Sequence, residues 1–165
     1  MNPKKPNIKM KQLIWKLVLP FTIISFVVFR KWWYVLPVDA PHSMMSGFPL
    51  PYVCDGWFTS MSNQFFVMEL IIDLLIYFLF WLLLVFIINR FFVKIVVSKI
   101  LIIFLMTMNA LIFSGAIFIA SMRENIFKLK RNFDVEVKET GYNFIWQNTQ
   151  RPDIENIPEI NKNSL

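Results

Sequence analysis

The chain has 165 residues, of which 56% are hydrophobic, 17% aromatic and 17% charged, with a formal net charge of +6. Soluble domains carry about 25% charged residues, so this composition argues against an ordinary water-soluble enzyme and excludes a disordered chain. One cysteine excludes a disulfide framework. The remaining class is a small integral membrane protein, and the expected fold class is all-α with three transmembrane helices.

Residues 1–12 form a basic N-terminal segment, and the first predicted transmembrane helix covers residues 13–29. It is short, since 17 residues span about 25 Å as a helix. Lys16 lies in its first turn, from which its ammonium group reaches the lipid headgroups. No small-residue cleavage site follows, so the pattern predicts an uncleaved signal anchor.

Residues 30–64 are rich in proline and aromatic residues and are predicted to form an interfacial, extracytoplasmic loop. Two chemical alternatives arise in this loop. Asp39, His42, Cys54 and Asp55 are possible metal ligands, but their spacing matches no closed zinc pattern. His42 and Cys54 are a possible nucleophile pair, but no oxyanion motif accompanies them. The sequence therefore predicts no metal and no cofactor.

The second and third transmembrane helices are predicted at residues 65–88 and 95–120, as an antiparallel hairpin around a short turn. Glu69 and Asp73 interrupt the second helix at positions i and i+4, so they share one face. Asp73 lies about 5 Å from the middle of that predicted span. An ionised carboxylate at such depth costs at least about 2.5–3.5 kcal/mol, which makes it a functional-site hypothesis.

Depth matching across the predicted hairpin places Asp73 opposite the region around Thr107. The predicted intramembrane polar cluster consists of Glu69, Asp73, Tyr77, Thr107 and Asn109. Close helix packing is predicted at the small residues Ala110, Ser114 and Gly115. Two interpretations of the cluster remain open, which are contact with a partner or neighbouring helix and a path for protons or cations.

Residues 121–165 are predicted to be a polar tail that begins as an amphipathic extension of the third helix. Its alternating pattern predicts a short β-hairpin, with strands at 133–138 and 143–146 around a turn at 139–142. Basic residues lie at the predicted membrane edges and are expected to contact lipid headgroups rather than nucleic acid. They are Lys16, Lys94, Lys99, Arg123, Lys128, Lys130 and Arg131.

The two predicted membrane sides carry eight and seven basic residues, so charge alone does not set the orientation. The long aromatic loop favours a cytoplasmic N-terminus. The bias towards Phe, Ile, Lys and Asn favours a bacterial source and thus the cytoplasmic (inner) membrane.

The predicted function is a non-enzymatic accessory or scaffold subunit of a larger membrane complex, whose partners are lipids and other membrane subunits or second copies. The alternative is an oligomeric transport protein that conducts protons or cations past Glu69 and Asp73. A membrane enzyme with catalytic loop residues is the third class.

Overall fold

The computed structural model describes residues 10–37, 42–56 and 62–147. The first nine residues, Asp39 and the tail from residue 148 lie outside these ranges. The described chain forms three long helices, α1 (Met10–Val28), α2 (Val67–Phe92) and α3 (Lys99–Ala120). Each is long and apolar enough to cross a membrane, by length and composition. Their bounds lie within a few residues of the predicted spans, because long apolar runs are a local signal.

A six-stranded mixed sheet accompanies the helices, so the fold is α/β and the prediction of an all-α fold is wrong. The strands are β1 (Phe29–Pro37), β2 (Ser43–Ser46), β3 (Val53–Asp55), β4 (Asn63–Phe66), β5 (Ile126–Lys128) and β6 (Val135–Phe144). Their order across the sheet is β5-β4-β3-β2-β1-β6.

Strands β1 to β4 form an antiparallel meander in the segment predicted to be a loop. Aromatic and β-branched side chains crowd β1, and such residues fit a pleated surface. The prolines of this segment disfavour a helix, as expected, and those among the described residues lie where strands tolerate them. Pro37 ends β1, and Pro49 and Pro51 lie between β2 and β3.

The tail supplies both outer strands of the sheet. β5 pairs in parallel with β4, and β6 pairs antiparallel with β1. Residues 139–142 continue β6 without a turn, so the predicted β-hairpin does not form. The predicted helical extension is also wrong, because α3 ends at Ala120 before β5 begins. Gly141 pairs with Trp32, whose indole would lie 2.6 Å from an added Cβ.

Helix α1 packs against both α2 and α3, whereas α2 and α3 make few contacts with each other. The second and third helices are joined by the short connection that was predicted, but they do not pack closely on each other as the predicted hairpin implied. The helices enclose a small core of Leu13, Leu17, Val18, Val85 and Leu105. A wide turn in α1 (Ile14–Val18) precedes Pro20, which lacks the N–H that would continue a regular helix.

The sheet lies at one common end of the helices. β1 follows directly on α1, α2 follows directly on β4, and β5 comes six residues after α3. One face of the sheet has its own core, made by Val35, Met45, Cys54 and Phe66. Phe133, from the segment between β5 and β6, packs on this core. That segment therefore crosses this face, since β5 and β6 lie on opposite edges.

Candidate functional site

Asp73 is fully buried, and its carboxylate binds the backbone of the connection between β2 and β3. One oxygen accepts a hydrogen bond from the N–H of Phe48 at 2.8 Å, and the other accepts from the N–H of Leu50 at 3.0 Å. We call residues 47–50 the inserted turn. Because α2 runs from Val67 to Phe92, Asp73 lies about 10 Å from its middle, nearer the sheet than the sequence predicted.

The inserted turn depends on Gly47, whose φ of 153° is rarely adopted by residues with a side chain. An added Cβ there would lie 2.0 Å from the carbonyl oxygen of Leu50. The N–H of Gly47 donates to Lys31, and its carbonyl accepts from the indole of Trp33 at 3.4 Å. The turn is therefore held from the sheet on one side and by Asp73 on the other.

Tyr77 lies one helical turn after Asp73 and joins the same junction. Its hydroxyl donates to the carbonyl of Phe29 at 3.3 Å. Its ring meets Phe26 edge-on at 5.7 Å and Phe48 at 6.3 Å between centroids. The rings at this point form what we call the junction cluster, which consists of Phe26, Phe29, Phe48, Tyr52, Tyr77 and Tyr142.

Tyr52 follows the inserted turn and is a half-buried phenol of the junction cluster outside the helices. Burial raises the pKa of Tyr52, Arg30 opposes this shift, and the charge of Asp73 adds to it. The Tyr52 hydroxyl therefore stays protonated at neutral pH, and the junction contains no tyrosinate at this position.

Glu69 contacts the segment between β5 and β6. Its Oε1 accepts from the N–H of Arg131 at 3.3 Å, and the neighbouring N–H of Met68 donates to Leu129 at 3.0 Å. Its Oε2 is buried without a hydrogen-bond partner among the described residues. Glu69, Asp73 and Tyr77 therefore share one face of α2, as the spacing indicated, but this face contacts the sheet and its connections.

Thr107 and Asn109 do not join this group, so the structure does not assemble the predicted five-residue cluster. Thr107 is exposed, and its hydroxyl donates to Ile103 within α3. Asn109 is buried against α1, with its amide donating to Leu105 at 2.7 Å and Pro20 at 3.5 Å. The predicted pairing of residues at equal depth on the second and third helices is wrong, because α1, and not α2, packs against this face of α3.

The predicted packing residues Ala110, Ser114 and Gly115 are all exposed. A Cβ added at Gly115 would meet nothing within 4 Å. No described segment of the chain packs on this small surface of α3.

The predicted headgroup residues divide between the two ends of the helices. Lys16 lies in the half of α1 remote from the sheet, and Lys94 and Lys99 adjoin the connection between α2 and α3. The others lie beyond α3, at the sheet end, and are Arg123, Lys128, Lys130 and Arg131.

His42 and Cys54 lie on opposite faces of the sheet by strand alternation. The His42 ring stacks on Tyr34 at 5.6 Å. Cys54 is buried, and burial together with the neighbouring Asp55 raises the pKa of its thiol to about 11. Asp39 lies outside the described residues, which contain no group of three or more potential metal ligands.

A cavity of about 320 Å³ lies between α1, α2 and the inserted turn, beside the junction cluster. Its lining comprises Ser25, Phe29, Phe48, Ile76, Tyr77, Phe80 and Trp81. No pattern in the sequence indicates this cavity. Its walls come from separated segments, and apolar residues within a predicted span look the same whether they face lipid or a cavity.

Comparisons with protein-family models, curated proteins and solved structures found no significant match to this chain.

Proposed function

We propose that the chain is a non-enzymatic integral membrane subunit that anchors a surface sheet and offers a helix face to a partner in a larger membrane complex. The bacterial cytoplasmic membrane is the proposed location. The supporting observation is the incomplete packing of α3, in which only Leu105 and Asn109 are buried. Beyond Asn109, large side chains such as Leu111, Phe113 and Ile117 are 53–67% exposed.

Lipid covers apolar side chains as well as a protein does, so exposure alone supports only membrane placement. The partner proposal depends on Ala110, Ser114 and Gly115, which leave a shallow surface on α3. Small residues let two helix backbones approach closely in a membrane, where dispersion contacts drive association. A helix of a partner subunit, or α3 of a second copy, fits this surface.

Conduction of protons or cations past Glu69 and Asp73 is the second candidate. Their shared face on α2 favours it. Against it, Asp73 uses both oxygens to hold the inserted turn, and Thr107 and Asn109 lie elsewhere. Structural anchoring accounts for more of the geometry.

Purification of the tagged chain from native membranes in mild detergent tests the proposal. We expect stoichiometric membrane partners, or a defined homo-oligomer, that is lost in Gly115→Leu and retained in Ile117→Leu, which changes the same helix without filling the small surface. Proton or cation flux in liposomes that Asp73→Asn abolishes would favour conduction. A monomer with neither association nor flux would contradict both functions.

A further inference from the structure

The cavity beside the junction cluster has the chemistry of a hydrocarbon site. Its volume of about 320 Å³ is at the lower end of the range for small-ligand sites. Ser25, Trp81 and Tyr77 carry polar side-chain atoms, but each is already hydrogen-bonded, and the Tyr77 hydroxyl donates to the carbonyl of Phe29. The indole N–H of Trp81 donates to the Ser25 hydroxyl at 2.8 Å, which itself donates to Phe21 at 2.6 Å. The aromatic and aliphatic walls therefore favour an alkyl chain.

We take the mouth of the cavity to lie where two of its lining residues also face outward from α2. Ile76 and Phe80 line the cavity, yet they are 40% and 56% exposed on the outer surface of α2. If α1 and α2 span a bilayer, as proposed above, this mouth faces lipid. A chain of a neighbouring lipid then enters without leaving the hydrocarbon phase.

The cavity also lies close to a cationic group. Phe29 lines the cavity and stacks on Tyr142 at 5.6 Å between centroids. The ammonium group of Lys31 lies 5.6 Å from the same Tyr142 ring and 3.8 Å from the Trp33 ring. Within residues 10–37, 42–56 and 62–147, Lys31 forms no ion pair with a carboxylate. Since Lys31 lies in β1 just past the end of α1, it occupies the headgroup level of the proposed arrangement.

We propose that this cavity binds one acyl chain of an anionic phospholipid whose phosphate is held near Lys31. The proposal rests on the membrane placement in the preceding subsection, but not on the partner surface of α3. The apolar cavity selects for the acyl chain of the lipid, and Lys31 selects for a negatively charged headgroup. Trp33 and Tyr142 hold the ammonium group in place by cation–π contact.

Native mass spectrometry of the purified chain with added phosphatidylglycerol or phosphatidylcholine tests the site. We expect one retained phosphatidylglycerol and at least about tenfold lower occupancy by phosphatidylcholine. Ile76→Trp fills the mouth and should lower phosphatidylglycerol occupancy about tenfold. Leu79→Trp, at a residue that is 52% exposed on the same helix but outside the lining, should not.

Lys31→Gln should lower phosphatidylglycerol occupancy to the level of phosphatidylcholine and so remove the preference for the anionic lipid. Lys11→Gln, at an exposed lysine in the half of α1 remote from the sheet, should leave the preference unchanged. A second measurement uses phosphatidylglycerol with brominated chains, which should quench a fluorescence component that Trp81→Phe removes. Circular dichroism identifies any variant that fails to fold. In that case the test of the site is whether brominated phosphatidylglycerol quenches the fluorescence of the wild-type protein.

Non-saturating binding of several lipids, equal occupancy in Ile76→Trp and the wild type, or no preference between headgroups would each overturn the proposal. Alkaline carbonate extraction separates this failure from failure of the proposed function. If the protein stays in the membrane fraction but retains no single lipid, only the lipid site is overturned. If the protein is extracted, the membrane placement on which both proposals depend is overturned.

Discussion

The carboxylate of Asp73 accepts a 2.8 Å hydrogen bond from the backbone N–H of Phe48, 25 residues earlier in the chain. With the second bond from Leu50, it satisfies two donors of a turn that has no strand neighbour at that point. The acid that interrupts the most hydrophobic helix is therefore the contact that fixes the sheet on that helix.

Asp73→Asn should destabilise the chain, because Asp73 uses each oxygen for a different N–H and the amide replaces one acceptor with a donor. We expect a loss of roughly 1–3 kcal/mol, the cost of one unsatisfied buried donor. Glu69→Gln is the matched control, since Glu69 accepts only through Oε1 and an amide oxygen replaces it. Its change should stay within about 0.5 kcal/mol.

Denaturant unfolding of both variants in detergent, followed by circular dichroism, gives the two values. Equal stability of Asp73→Asn and the wild type would contradict the anchoring role. A larger loss in Glu69→Gln than in Asp73→Asn would place the main contact at the segment between β5 and β6.

Gly47→Ala should be strongly destabilising, by at least about 2 kcal/mol, because its φ disfavours a side chain and the added Cβ meets a carbonyl oxygen. Gly115→Ala in the isolated chain should instead stabilise α3 by about 0.5–1 kcal/mol, since Ala is the better helix former and the site is open. The same unfolding assay measures both. A tolerated Gly47→Ala would show that the inserted turn adopts another backbone conformation.

Cys54 should resist alkylation in the folded chain. With its thiol pKa raised from 9.0 to about 11, the thiolate at pH 8 is about 100-fold rarer than in the unfolded chain. Iodoacetamide labelling in detergent, with and without denaturant, measures the difference. Leu129→Cys, at a side chain that is 73% exposed, provides the reactive control. Fast labelling of native Cys54 would contradict its burial.

The Cys54 thiol also gives stability a pH dependence of known sign. The folded chain favours the protonated thiol, so this contribution is complete below pH 9 and is lost as pH rises towards 11. Cys54→Ala should reduce the loss of unfolding free energy between pH 9 and pH 11. An unchanged alkaline slope in that variant would assign the loss to other groups.

The proposed topology places all six strands on one side of the membrane and the connection between α2 and α3 on the other. In a Cys54→Ser background, Leu129→Cys and Val93→Cys should therefore react with an impermeant maleimide from opposite sides. Both side chains are well exposed, at 73% and 68%. In intact cells one variant should react, and both should react after permeabilisation. Labelling of both in intact cells would contradict three crossings.

The sequence predicts the helices well and the sheet poorly, for a physical reason. A run such as Val67–Ile87 can be predicted as a helix from its own residues, because its length and apolar content are enough to indicate a membrane-spanning helix. Strands such as Val53–Asp55 have three residues and depend on distant partners. Gln64 pairs with Ile126, and Lys31 pairs with Tyr142, so no local pattern contains the signal.

For the candidate site, the sequence predicts the residues of α2 but not the groups that they contact. The i, i+4 spacing correctly put Glu69, Asp73 and Tyr77 on one face. Depth matching predicts side-chain partners on the third helix, whereas the donors are backbone N–H groups of Phe48, Leu50 and Arg131. Backbone donors carry no residue-type signal. The position of the inserted turn against α2 also follows only from the three-dimensional fold.

The outer strands β5 and β6 come from the last described part of the chain and cover both edges of the meander. During synthesis the meander therefore keeps two unpaired edges until α3 has been made and the chain beyond it emerges beside the sheet. In a bilayer, a chain whose third helix failed to cross would leave its final strands on the wrong side, with the edges open to aggregation or proteolysis. In the proposed membrane arrangement, closure of the sheet would therefore require that α3 has crossed the bilayer.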